Sequence, residues 1–108
     1  MKYKIRFTSR FKKDYKLAVK RGLDINKLRY VIEILSSGKK LQSLYKDHNL
    51  INDKKYDNVR ECHIEPDWLL IYKIEEDILT LNLIRTGKHN DLFEYCLFFF
   101  LYMISTLY

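Results

Sequence analysis

The chain has 108 residues, 47% hydrophobic and 31% charged, with three Gly and one Pro. That balance fits one folded domain with a modest core and excludes a disordered or long-looped chain. Its two cysteines, Cys62 and Cys96, exclude a disulfide scaffold and suit free thiols in a reducing cytosol. The net charge of +6 is uneven: +8 over residues 1–22, +3 over 23–60 and −5 over 61–108. A basic N-terminal region favours a polyanion such as nucleic acid, or an acidic protein partner, and a solvated basic helix face explains the same charge at least as well.

Lys2 to Phe7 alternates, with Tyr3, Ile5 and Phe7 on one face and Lys2, Lys4 and Arg6 on the other, and predicts a half-buried strand. Thr8 or Ser9 caps a helix whose apolar positions are Phe11, Tyr15 and Ala18, with Leu17 and Val19 beside them. Gly22 stops it. Asp24 caps a second helix with the stripe Ile25, Leu28, Val31, Ile32 and Leu35, ended by Ser36-Ser37-Gly38. Residues 39–58 read as a polar loop with one helical turn near Leu41–Leu44. Three strands follow: Val59–Ile64, Trp68–Ile74 and Ile78–Ile84. Glu65-Pro66-Asp67 and Glu75-Glu76-Asp77 are the turns between them. The order β-α-α-β-β-β predicts an α+β domain, two N-terminal helices packed on a mostly antiparallel four-stranded sheet.

The N-terminus is too polar for a signal peptide. Residues 95–108 carry no charge, and CLFFFLYMI is continuously apolar. That run falls short of the ~20 residues a bilayer-spanning helix needs, so no membrane is expected as a partner.

The three histidines, His48, His63 and His89, all lie outside apolar runs. In a meander the end of one strand neighbours the start of the next, so His63, Asp67, Trp68, Arg85 and His89 are expected to converge at one end of the sheet. Such a set suits RNA cleavage without metal. Imidazole can take the proton of a ribose 2′-OH or give one to the leaving 5′-oxygen. Arg85 offers a charged fork for phosphate oxygens. Trp68 and Phe93 offer faces on which bases stack, and Asp67 can orient a histidine. No HxH, HExxH or CxxC spacing is present, so neither a metal nor a cofactor is expected. Each residue also has a purely structural reading: Asp67 as a turn residue, Trp68 as core, Arg85 paired with Glu61 or Glu65, Phe93 as an anchor of the C-terminus. On composition and spacing alone, the structural readings outweigh catalysis.

The segments YKDHNL, RECHIEPDWLLIYKI and IRTGKHNDLF, in this order after a strand and two basic helices, resemble the YafQ family of RelE/ParE-superfamily toxins from bacterial type II toxin–antitoxin systems. The resemblance covers residues 1–93, and HIEPDWLLIYK is its most specific part. It implies a RelE-like fold and a cytoplasmic, ribosome-dependent mRNA endonuclease that needs no metal. Its implied partners are the ribosome, mRNA and a DinJ-like antitoxin that silences it as a hetero-oligomer. The family's functional positions fall on His48, His63, Asp67, Trp68, Arg85, His89 and Phe93. The implied roles are His89 as an acid/base, His63 or His48 as the second proton carrier and Arg85 on the phosphorane. Asp67 tunes a histidine, and Trp68 and Phe93 shape the base pocket. Two features depart from the family: the loop Leu50–Val59 is long and lacks the glycine typical there, and an apolar tail, 94–108, follows the toxin domain of residues 1–93. The alternative reading is a ParE-type toxin acting on a protein target, or an inactive relic that only binds its antitoxin.

Overall fold

The computed structural model describes residues 2–50, 59–89, 91 and 92. The elements run β1 (Lys4–Phe7), α1 (Ser9–Lys20), α2 (Ile25–Ser36), a 3₁₀ turn (Ser43–Tyr45), β2 (His48–Asn49), β3 (Val59–Glu65), β4 (Trp68–Glu75), a second 3₁₀ turn (Glu76–Ile78) and β5 (Thr80–Lys88). The sheet order is β1-β5-β4-β3-β2. β1 runs parallel to β5, and every other neighbouring pair is antiparallel. The sheet thus has five strands where the sequence predicts four. The added strand, β2, is two residues long inside the stretch read as loop, and two residues leave no alternation to detect. It forms because the edge of β3 offers unpaired backbone groups.

Local chemistry sets the helix boundaries. Thr8 Oγ1 accepts the Phe11 N–H at 3.0 Å, and Asp24 Oδ1 accepts the Asn26 N–H at 3.1 Å; each satisfies a donor that the first helical turn leaves open. Both helices close on a left-handed glycine, Gly22 (φ 75°) and Gly38 (φ 83°). At the first, Gly22 N–H donates to Val19 O and Leu23 N–H to Ala18 O, the paired-carbonyl ending that favours a residue without Cβ.

The helices lie on one face of the sheet. Phe11, Ala18, Leu28, Val31 and Leu35 pack with Cys62, Ile64, Trp68, Leu70, Tyr72, Leu81 and Leu83. Fully burying each leucine there contributes about 1.5–3 kcal/mol. The opposite face carries a smaller cluster of Val59, Leu69, Ile71 and Leu92, bordered by Leu50 and Ile84. Phe7, expected on the buried side of β1, is 53% exposed. β1 is an edge strand, and the Phe7 ring stacks on Phe11 at 5.7 Å rather than entering the core. The last strand starts at Thr80 rather than Ile78, because Ile78 closes the second 3₁₀ turn and Leu79 turns left-handed (φ 46°). The tail 94–108, Phe93 and the loop positions 51–58 lie outside the described residues.

Candidate active site at the hairpin neck

The β3–β4 hairpin turns through Pro66 and Asp67, with Glu65 opposite Trp68 and a register irregularity between His63 and Glu65. Pro66 fixes the φ this tight turn needs. The same two turn residues hold two histidine-bearing segments. His63 Nδ1 lies 3.2 Å from Pro66 O, and Asp67 Oδ1 accepts the backbone N–H of His89 at 3.3 Å. A carbonyl only accepts, so Nδ1 of His63 carries the proton and Nε2 of the neutral ring keeps its lone pair. The compact turn therefore anchors the end of β3 and the exit of β5 to one point. That explains why ionisable groups crowd a neck where a plain turn would suffice.

β2 brings the third histidine. His48 is paired with Glu61 in register, and Glu61 and His63, two apart on β3, share a face. The rings of His48 and His63 stand 6.3 Å apart, centre to centre. His48 Nδ1 lies 2.6 Å from Lys46 O, and its Nε2 lies 3.5 Å from Glu61 Oε1. Both ring nitrogens thus lie near oxygen acceptors. Glu61 is buried while His48 is exposed, so a carboxylate backs an accessible imidazole. The face they occupy is the one opposite the helices, where Val59, Leu69 and Ile71 form the apolar floor.

Arg85 sits differently. Its Nε–H donates to Asp14 Oδ2 at 2.8 Å and its Nη2–H to Asp14 Oδ1 at 3.1 Å, with side-chain exposures of only 8% and 11%. Asp14 also accepts the Thr86 N–H at 3.2 Å. On the sheet, Arg85 lies opposite Ile71, Ile71 opposite Glu61, and Glu61 opposite His48. Three strand spacings put the backbones of Arg85 and His48 about 14 Å apart. The guanidinium expected to meet a phosphate is instead directed to α1. The carboxylate bonded to it is Asp14, the single acid among nine Lys and Arg in residues 1–22. That isolation was a signal in the sequence.

Trp68 is 1% exposed and belongs to the main core. Its indole N–H donates to Thr86 Oγ1 at 3.0 Å, and that hydroxyl donates to Leu69 O at 2.7 Å. The ring has no free face for a base, so its placement matches the structural reading. Asp67 meets the backbone of His89 rather than its imidazole, which is exposed. The remaining predicted residue, Phe93, is outside the described residues. Among those residues, no group of three or more His, Cys, Asp or Glu could hold a metal ion.

Sequence reasoning missed a network beneath β2. Asp47 Oδ1 accepts the Tyr72 hydroxyl at 2.5 Å, and its carboxylate accepts Arg60 Nε–H and Nη2–H at 3.2 and 3.1 Å. Arg60 Nη1–H donates to Asn49 Oδ1 at 2.6 Å. Burial and then the Asp47 contact push the Tyr72 phenol well up, so it stays a donor. Burial opposes the Arg60 charge, but Asp47 and Tyr72 outweigh it and raise the guanidinium further.

Residues 3–94 match a family described as bacterial toxin of type II toxin–antitoxin system, YafQ. The chain is 43% identical over 90 residues to the mRNA interferase toxin YafQ of Escherichia coli strain B / BL21-DE3, covering 82% of this chain and 94% of that one. Among solved structures it is similar to the E. coli DinJ–YafQ toxin–antitoxin complex. There the TM-score is 0.75 and the identity 38%, over 86% of this chain and 99% of the matched one. It is also similar to a metal-bound toxin from Helicobacter pylori, with TM-score 0.76 and 40% identity over 83% and 98% of the two chains.

Proposed function

This chain belongs to the YafQ family of bacterial type II toxins, and from that premise we propose that it is an mRNA interferase, a ribosome-dependent endoribonuclease held silent by a DinJ-like antitoxin. The observation that carries the reading is the pair of imidazoles, His48 and His63, 6.3 Å apart on the face of the sheet that the helices leave open. Cleavage at one phosphodiester needs two proton transfers. His63, whose Nε2 keeps its lone pair, takes the proton from the ribose 2′-OH. The 2′-oxygen attacks phosphorus, and the bond from phosphorus to the 5′-oxygen breaks. His48, its Nε2 beside Glu61 Oε1 at 3.5 Å, gives the leaving 5′-oxygen its proton. The products are a 2′,3′-cyclic phosphate and a 5′-hydroxyl, and no metal enters the balance.

His89, exposed beside Asp67 at the same neck, is the third imidazole of the proposed site and reaches the substrate from the β5 side. Asp67 fixes its backbone. Arg85 and Trp68 act on the scaffold: one fixes β5 to α1, the other locks the hairpin to β5 through Thr86. Phe93, next in the chain after Leu92, is proposed to flank the base. The toxin domain is proposed to span residues 1–93, with 94–108 an added apolar tail. Ribosome-bound mRNA as substrate places the activity in the cytoplasm, and among the described residues no helix is long and apolar enough to cross a membrane.

The test is cleavage of translated mRNA by the wild-type chain and by His48→Ala, His63→Ala and His89→Ala. Removal of a proton-transfer group is expected to slow cleavage by about 10²–10⁴-fold. Parental rates in both His48→Ala and His63→Ala overturn the reading. Antitoxin binding without any wild-type cleavage identifies an inactive relic.

A further inference from the structure

β2 is a weak platform for a proton-transfer group. It is two residues long and lies at the edge of the sheet. Two residues before His48, Lys46 caps the first 3₁₀ turn and sits left-handed at φ 49°, a conformation uncommon for a residue with a Cβ. The His48 ring is bonded to the carbonyl of that same residue. Any drift of Lys46 would therefore rotate the imidazole.

One side chain holds both neighbours of His48. The Arg60 guanidinium donates to Asp47 on one side and to Asn49 on the other. Tyr72, opposite Arg60 on β4, adds a hydroxyl bond to Asp47. Tyr72 packs in the helix-side core, and strand alternation puts Arg60 on that side and Glu61 on the other. The clamp thus grips Asp47 and Asn49 from beneath while His48, between them, is left beside Glu61 and His63. A planar fork with donors on three nitrogens can span the two acceptors, and a lysine ammonium cannot reproduce that geometry.

We propose that Arg60, braced by Asp47 and Tyr72, is a positioning residue that fixes the ring orientation of His48 for proton transfer. The inference rests on the catalytic reading of His48 given above. It assigns to the buried side of the sheet the task of aiming a group on the open side.

The test compares the full-length wild type with Arg60→Lys, His48→Ala and the double variant. The readouts are steady-state cleavage of translated mRNA, thermal unfolding and the ¹⁵N imidazole NMR signals of the histidines. Arg60→Lys is expected to lower kcat by about 10- to 100-fold, as misplacement on the order of 1 Å does, while KM and cooperative unfolding are kept. The His48 ring is expected to lose its fixed Nδ1 contact with Lys46 O, read as a shift in its ¹⁵N signals, and Arg60→Lys to add nothing in the His48→Ala background. Tyr72→Phe removes one hydroxyl and keeps the ring. It is expected to act in the same direction, more weakly, and serves if Arg60→Lys does not fold. An equal loss from Arg60→Lys with and without His48, or unchanged His48 ¹⁵N signals, overturns the positioning role and leaves the nuclease reading standing. Parental cleavage by His48→Ala removes the catalytic reading of His48 and this inference with it.

Discussion

Replacing Asp14 by alanine is expected to cost most of what a buried ion pair costs when one partner is removed. The Arg85–Asp14 contacts are 2.8 and 3.1 Å, with both side chains largely screened from water. Removing one member of such a pair costs about 3–5 kcal/mol. The lost Thr86 N–H bond is part of the same site, so its contribution is included rather than added. A domain of this size has a total stability of roughly 5–15 kcal/mol, so the variant is expected to be marginal. With a urea slope of about 1–3 kcal/mol/M, the midpoint should fall by on the order of 1–5 M. The assay is urea unfolding followed by fluorescence of Trp68, the chain's single tryptophan. Its burial beside Thr86 makes it report the same region. Asp14→Ala combined with Arg85→Met is expected to recover a large part of the loss, because the buried charge leaves with its partner. A loss under ~1 kcal/mol for Asp14→Ala, the value of a screened surface pair, refutes the reasoning. So does a double variant no better than the single one.

Trp68→Ala is expected to lose about 3–5 kcal/mol in chemical denaturation, as a deleted core aromatic does; a change within ~0.5 kcal/mol would mean that the indole lies outside the core. Cys62 is buried, and burial, with Asp47 and Glu61 adding to it, pushes its thiol well up. In a Cys96→Ser background, iodoacetamide at pH 8 should leave the native protein unlabelled and label the unfolded chain. Arg21 donates to Asp91 at 2.7 Å and holds the Asp91 carboxyl below its ordinary value, with Lys88 adding to the effect. The folded state therefore favours the ionised form. Its contribution is complete above the ordinary carboxylate range near pH 4 and fades as pH falls through the lowered value. Because the pair is 41% and 35% exposed, the effect is at most ~1 kcal/mol. Arg21→Gln should flatten that part of the acid-unfolding profile, and an identical profile would count against the contact.

Both helices, their glycine endings and the three long strands could be read from the sequence because each repeats a pattern over many residues. Leu28, Val31 and Leu35 recur at helical spacing, and Trp68–Ile74 is apolar on both faces because β4 has core on both sides. The convergence of His63, Asp67 and His89 was also legible, since a meander leaves no other place for those strand ends. What escaped was non-local. β2 exists only as a pairing with β3. The Asp14–Arg85 contact spans 71 positions, and the Asp47–Arg60–Tyr72 contacts span 13 and 25, with no periodicity to announce them. Trp68 shows the opposite hazard. A lone tryptophan beside a turn suits a base platform, yet strand alternation from Leu70 and Tyr72 places it on the helix side.

The two faces of the sheet divide the work. On the helix side, polar groups are bonded: Arg60 to Asp47 and Asn49, Trp68 to Thr86. Such buried polar contacts contribute modest net stability, but they are costly to leave half-made, so they select one geometry. On the open side the histidines remain exposed or half-buried, each ring of His48 and His63 tied by one nitrogen to a carbonyl. A proton-transfer group needs both conditions: one nitrogen fixed so that the other is aimed, and access for the substrate. Placing the fixing network on the covered face and the imidazoles on the bare one meets both without burying a histidine. It follows that substitutions at Arg60, Asp47 or Tyr72 should alter rate more than substrate affinity, although none of these residues shares the histidines' face.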